Sequence, residues 1–394
     1  MCVSGRVYTQ TYLSLLEDLG KINLSKYVSE AVASIVLESK KMASSDVKPI
    51  AEVCMKLHLM YADFGSEMAR TTAKCMGAAA LLGGKSVAAK ATNAMRATAA
   101  GTSTSGNVGG ADEEPWVMKS MSASLCAEVI RAEGQPALAA LLPEVMKITS
   151  VGPMQAGIVC LVLKTLAEEV MVYNEGLEAD RLRSLFGALT NSLPTILPAI
   201  YSVMDSNFVH AQKAQAAGSA ADVAVHLSAV EMALAAAAAY AEWAPMLAIH
   251  ETRLISAAGH LIQMESMKMA ACEFVMQVAS RKRAGDGDSF NLGIRELADA
   301  LIAGVDPASL AFQRGTFPSD EHLAFLKRFA EALNAMASNH FNVGGPLDDS
   351  QREKLGKFLF VFSQHPDMAV ASVGIQSRNT LVRSAVVQWK AVKW

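Results

Sequence analysis

The sequence predicts an all-α chain built as an array of stacked helical hairpins. Three observations carry this. Apolar residues recur at three- and four-residue spacing along most of the chain. The composition is 52% hydrophobic but only 6% aromatic, with 21 methionines, which suits packed helices whose gaps are filled by flexible side chains. Alternating runs of β-branched and aromatic residues, the mark of strands, are scarce. Charged residues make up only 19% of the chain, which excludes a mainly disordered protein.

The elements follow in order. Val28, Val32, Ile35 and Val36 form one helical stripe, and Val53, Leu57, Met60, Tyr61 and Phe64 form the next. Ser44, Ser45 and Asp46 offer an N-cap between them, with Pro49 near the first turn, so residues 1–76 read as a small helical segment containing one hairpin. Residues 77–115 are rich in Gly, Ser, Thr and Ala and end in an acidic cluster, the composition of a flexible linker. From Trp116 the helical pattern resumes and extends to residue 394. Its stripes are Val117, Met121, Leu125 and Val129, then Leu182, Leu185, Phe186, Leu189 and Leu193. Leu254, Ala258, Leu261 and Ile262 follow, and then Leu326, Phe329, Leu333 and Met336. Loops are expected at Ala284–Ser289 and Val343–Ser350. Pro153, Pro198 and Pro245 fall near the ~40–47-residue period of HEAT and armadillo units, which suggests an α–α superhelix. Each hairpin has one apolar face to bury against its neighbours, and the concave surface of such a stack is usually a binding surface.

Several function classes are disfavoured. The longest continuous apolar run, Met232–Ala241, is about half of the ~20 residues that a bilayer requires, and Met1–Gln10 lacks an apolar signal core. A chain in a reducing, intracellular compartment without membrane insertion is expected. The six cysteines are too widely spaced for a Cys-x-x-Cys pair and read as small buried hydrophobes. Formal charge is −3, with 12 basic and 11 acidic residues before Trp116 and 23 basic and 27 acidic from there on. Neither part is a basic domain, so any contact with nucleic acid must be local.

No motif assembles an enzyme or a cofactor site. Gly83-Gly84-Lys85-Ser86 lacks the earlier glycine of a phosphate loop, since position 79 is Ala. His250-Glu251 opens a zinc-protease pattern that Leu254 breaks, and Asp286-Gly287-Asp288 opens a calcium loop that Phe290 breaks. No nucleophile elbow or dinucleotide fingerprint occurs. Arg281-Lys282-Arg283 is the compact basic triplet. It has two readings: cations at the negative end of a helix running from about Met267 to Ser280, or an RNA-contacting phosphate patch.

Certain segments are recognisable. LCAEVIRAEG (125–134), residues 152–204 beginning GPMQAGIVCLVLKTLAEE, AYAEWAP (239–245), ACEFVMQVASRKR (271–283) and, more loosely, FLFVFSQHPDM (358–368) lie in one order. Over about 117–394 they resemble the exportin-5/HASTY family of karyopherin-β nuclear export receptors. The resemblance implies a HEAT-repeat solenoid without catalytic activity that shuttles between nucleus and cytoplasm. It also implies partners: Ran-GTP, structured small RNA such as microRNA precursors, and nucleoporins. Family members are several-fold longer, and no residue here matches a Ran-contacting motif. Residues 23–64, NLSKYVSEAV through LMYADF, resemble the start of the first middle-type HEAT domain of up-frameshift protein two, a nonsense-mediated mRNA-decay scaffold. Two partial resemblances joined by a low-complexity linker read as a fragment or a hybrid. An mRNA-decay scaffold and a general helical protein-binding module are the alternative functions.

Overall fold

A computed structural model describes residues 134–171, 178–282, 287–306, 319–342 and 345–392, with further positions within 18–38, 50–64 and 123–131 and residue 310. Among the described residues the regular elements are helices: α1 Val28–Glu38, α2 Gln135–Ile148, α3 Pro153–Met171, α4 Ala179–Ala216, α5 Ala220–Ala241 and α6 Met246–Glu251. They continue as α7 Leu254–Leu261, α8 Lys268–Ser280, α9 Gly287–Gly304, α10 Asp320–His340, α11 Asp349–Ser363 and α12 Met368–Val392. The chain falls into two compact units, Met1–Asn191 and Ser192–Trp394. The linker expected at 77–115 lies outside the described residues, as do Ser44–Asp46 and the Gly83–Ser86 motif.

In the first unit, α1 and the helical positions of 50–64 enclose Val32, Cys54, Leu57 and Phe64, with Val28, Ile35, Val53 and Tyr61 packed around them. The Tyr61 hydroxyl accepts the Leu24 backbone N–H at 2.8 Å, fixing the entry to α1. This is the predicted hairpin; its Met60, however, is exposed. Farther on, α2 starts with Pro at its first turn, where a missing N–H costs nothing, and packs on α3. Six consecutive residues of α3, Ile158–Leu163, are buried, so this helix is covered on every side. The stripe Val117, Met121, Leu125 and Val129 lies outside the described residues; the buried positions there are Ala123, Cys126, Ala127 and Ile130.

The second unit shows how the hairpins stack. Helices α5, α8, α10 and α12 pack one on the next, while α6 and α7 pack on α9, and α9 on α11. The chain therefore alternates between two layers, and contacts of α7 with α8, α10 with α11 and α11 with α12 join the layers. Helices that meet their counterparts two elements along are the geometry of an all-α solenoid of HEAT type. The core between the layers is aromatic at one end: Phe329 of α10 meets Phe358 and Phe362 of α11 edge-on, with centroids 5.9 and 6.0 Å apart. Pairs of this kind add about 0.5–1.5 kcal/mol each beyond their buried area.

Polar side chains fix the stacking within each layer. Arg328 of α10 grips both carboxylate oxygens of Glu273 on α8, its Nε at 2.8 Å, and the pairing holds the guanidinium's pKa above its ordinary value. Gln351 of α11 donates to Asp299 of α9 at 2.7 Å, and the same residue completes a capping box with Asp348. Ser377 of α12 donates to Asn334 of α10 at 2.9 Å.

Four sequence expectations are corrected. Proline period does not mark the repeat: Pro153 begins α3, Pro198 lies inside α4 and Pro245 caps α6, three unrelated places. Phe186 is 39% exposed although Leu185, Leu189 and Leu193 beside it are buried. The loops are shorter than expected, because α9 already starts at Gly287 and α11 at Asp349. And α5, 22 residues long, is long and apolar enough to cross a bilayer. A continuous-run criterion missed it because Glu231 interrupts the run while the helix continues through it. Here Val230, Ala233, Leu234 and Ala237 of that helix are buried, and the helix packs against α8.

Candidate functional site

The basic triplet sits where α8 ends, at Ser280, one residue from its expected beginning and at its expected end. Arg281 leaves the helix in extended conformation. Its Nη1 donates to the carbonyls of Ala241 at 3.2 Å and Ala244 at 2.5 Å. Ala241 is the last residue of α5 and Ala244 lies in the turn just beyond it, at the end where the helix dipole is negative and carbonyls lack helical partners. The cation therefore stabilises the end of a neighbouring helix rather than its own. Lys282 beside it is exposed, and Arg283 lies outside the described residues. One guanidinium is thus committed to backbone, and one ammonium faces solvent.

A second feature was not apparent in the sequence. Glu296 of α9 accepts Ser256 Oγ–H at 2.7 Å on one oxygen and meets His250 Nδ1 at 2.5 Å on the other. Serine and histidine are thus joined through one carboxylate and not to each other. A hydrolytic relay needs the imidazole between hydroxyl and carboxylate, so this hub positions α6, α7 and α9 and does not activate Ser256. Between α6 and α7, Arg253 has φ 59°, the one non-glycine residue at positive φ among those described. That left-handed residue makes the elbow and breaks the zinc-type pattern physically, since Leu254 beyond it is buried. The hub lies in a cleft of about 770 Å³ whose other wall is α4, with Tyr201, Met204 and Phe208. No signal in the sequence joined residues 201, 256 and 296; the stacking of α9 on α6 and α7 brings Ser256 to Glu296, and Tyr201 of α4 lines the same cleft.

Other reactive groups are buried. Cys54, Cys126, Cys160 and Cys272 are all inside, and burial pushes their thiols up to about 12, so they remain protonated near neutrality. Among the described residues no group of three or more His, Cys, Asp or Glu side chains is placed to hold a metal ion. In the first unit, Arg131 pairs with Glu169 at 3.1 Å, both side chains nearly buried.

Stacked hairpins in two layers define the class: an all-α helical-repeat protein. Comparisons with known proteins find two partial similarities. Residues 115–275 match the family model for Exportin 1-like protein. Protein HASTY 1 of Arabidopsis thaliana is 35% identical over 191 residues, which are 48% of this chain and 16% of that protein. The similarity to exportins read from the residues is thus borne out. So is the second one: the Regulator of nonsense transcripts UPF2 of Arabidopsis thaliana is 41% identical over 54 residues, 14% of this chain and 4% of that protein. Regulator of nonsense transcripts 2 of Mus musculus is 46% identical over 55 residues, with the same shares. The chain spans only these small parts of the curated relatives. A solved engineered protein aligns with 94% of this chain and 99% of its own at 16% identity, with a TM-score of 0.30, too low to carry an argument.

Proposed function

We propose that this chain is a non-catalytic segment of a karyopherin-type nuclear export receptor. The observation that carries the reading is the match of residues 115–275 to an exportin family model, within a chain of stacked helical hairpins. In this reading the cargo is structured small RNA, bound through backbone phosphates and 2′-hydroxyls, since A-form helices hide their base edges. Lys282 and Arg283 supply phosphate contacts, and Arg281 holds the turn that presents them while adding its own charge. Export then depends on Ran-GTP and passage on nucleoporins, and the protein shuttles between nucleus and cytoplasm. Residues 1–76, 77–115 and 116–394 act as helical segment, linker and receptor repeat.

The test is a titration of the full chain with a short hairpin RNA at several salt concentrations. Replacing Lys282 and Arg283 by Ala should flatten the log–log salt slope by about two units, and adding Arg281→Ala by nearly one more. An unchanged slope removes the triplet from the RNA site. Capture by immobilised Ran loaded with GTP but not with GDP supports the receptor reading.

A second reading rests on the resemblance carried by residues 23–64 and on the 41–46% identity, over 54 and 55 residues of this chain, to nonsense-transcript regulators. As an mRNA-decay scaffold the chain should co-purify with decay factors and lose them when residues 1–76 are deleted. Recovery of Ran and no decay factor decides against it.

A further inference from the structure

Two clefts in the second unit meet end to end along one face of α4. The first, about 770 Å³, has Tyr201, Met204 and Phe208 on its α4 wall. The second, about 800 Å³, shares Phe208 and continues past Ala211 to Gln215. These positions recur every three or four residues, so a single helical stripe lines the whole groove. Each cleft has the volume of a ligand pocket, and together they form a trough suited to a chain segment rather than a compact molecule.

The rim of this trough is acidic. Asp205 and Glu251 stand exposed at the first cleft and Glu321 at the second. None of the three forms an ion pair among the described residues. Glu265, also at the second cleft, is tied to Lys268 at 2.6 Å. Arg253 is the lone arginine or lysine among the lining residues of both clefts. Carboxylates around an apolar, low-dielectric floor focus a negative potential into the groove. Phosphodiester chains are repelled by it.

We propose that this groove docks a basic amphipathic peptide segment of a partner protein. Its apolar side chains lie on the half-buried Tyr201 and Phe208, with buried Met204 beneath them, and its lysines or arginines meet Asp205, Glu251 and Glu321. This is a site for protein, independent of the RNA reading and of residues 281–283.

The probe is a fluorescein-labelled helical peptide of about 15 residues, Leu on one face and Lys on the other. That length matches Tyr201–Gln215 at about 1.5 Å per residue. Fluorescence anisotropy with the full chain should show saturable binding that weakens as salt rises from about 50 to about 300 mM. Asp205→Asn, Glu251→Gln and Glu321→Gln together, a change of charge without change of shape, should weaken it about tenfold. Reversing all three to Lys should weaken it further, with circular dichroism confirming the fold. A peptide with Ser for every Leu should bind at least about tenfold more weakly. Three results would overturn the proposal: no binding, equal binding of the Ser peptide, or full affinity in the carboxamide variant. Displacement of the peptide by an equimolar hairpin RNA would assign the groove to nucleic acid instead.

Discussion

Two residues show how burial and position set properties that their chemical types alone do not. His340 is 2% exposed and its Nε2–H donates to the Ala279 carbonyl at 3.0 Å. Burial holds its pKa below the ordinary 6.5, against a smaller upward push from that carbonyl. The unfolded chain therefore binds a proton that the folded chain does not, as pH falls below about 6.5. Stability should be constant above that pH and decline beneath it, down to the folded-state pKa. Urea melts across pH 5–8 check this, and His340→Gln, which keeps an N–H donor, should make the decline shallower. Burial also lowers His226 and His322, so the slope should shrink without vanishing. Arg281 gives a second expectation. Removing its guanidinium strands the carbonyl of Ala241, which ends α5, and that of Ala244 in the turn after it, and Arg281→Ala should cost about 1–3 kcal/mol. Lysine lacks the planar fork and should restore only part of it. If Arg281→Ala melts like the parent, the triplet has no structural role.

Glycines separate the helices that must touch from those that need not. In α7, a Cβ on Gly259 would sit 2.6 Å from the Ala300 Cβ and 3.2 Å from its Cα in α9. Neither neighbour is a flexible side-chain end, so the two helices would have to separate. Gly259→Ala should therefore destabilise by about 1–3 kcal/mol, outweighing alanine's better helix propensity. Gly356 in α11 has nothing within 4 Å of such a Cβ, and Gly356→Ala should stabilise by about 0.5–1 kcal/mol. Opposite signs from one substitution type, measured by thermal melts, test the packing of α7 on α9 directly. Most stripes were legible in the sequence. Leu254, Ala258, Leu261 and Ile262, and Leu326, Phe329, Leu333 and Met336, are all buried as their spacing predicts. Phe186 was not, because periodicity says that a face is apolar without saying how far the neighbouring helix covers it.

At the scale of the molecule, proteolysis tests the organisation. A Gly-, Ser- and Ala-rich segment at 77–115 should be cut first by elastase, and the expected product starts near residue 116 and resists further digestion. Early cuts elsewhere would remove that boundary. The sequence by itself determined the all-α class, the buried stripes of α7 and α10, the end of α8 and both family similarities. These are local properties, written in the order and spacing of side chains along one segment. Tertiary structure alone decided which helices stack, that Arg281 serves the end of α5, and that Glu296 gathers Ser256 and His250. It also placed the α4 stripe opposite the α6–α7 elbow to make an acidic groove. Those pairings join residues 37 to 46 positions apart, and some farther still. Such contacts depend on how each hairpin rotates against the next, which the packing of whole faces sets and no single periodicity encodes.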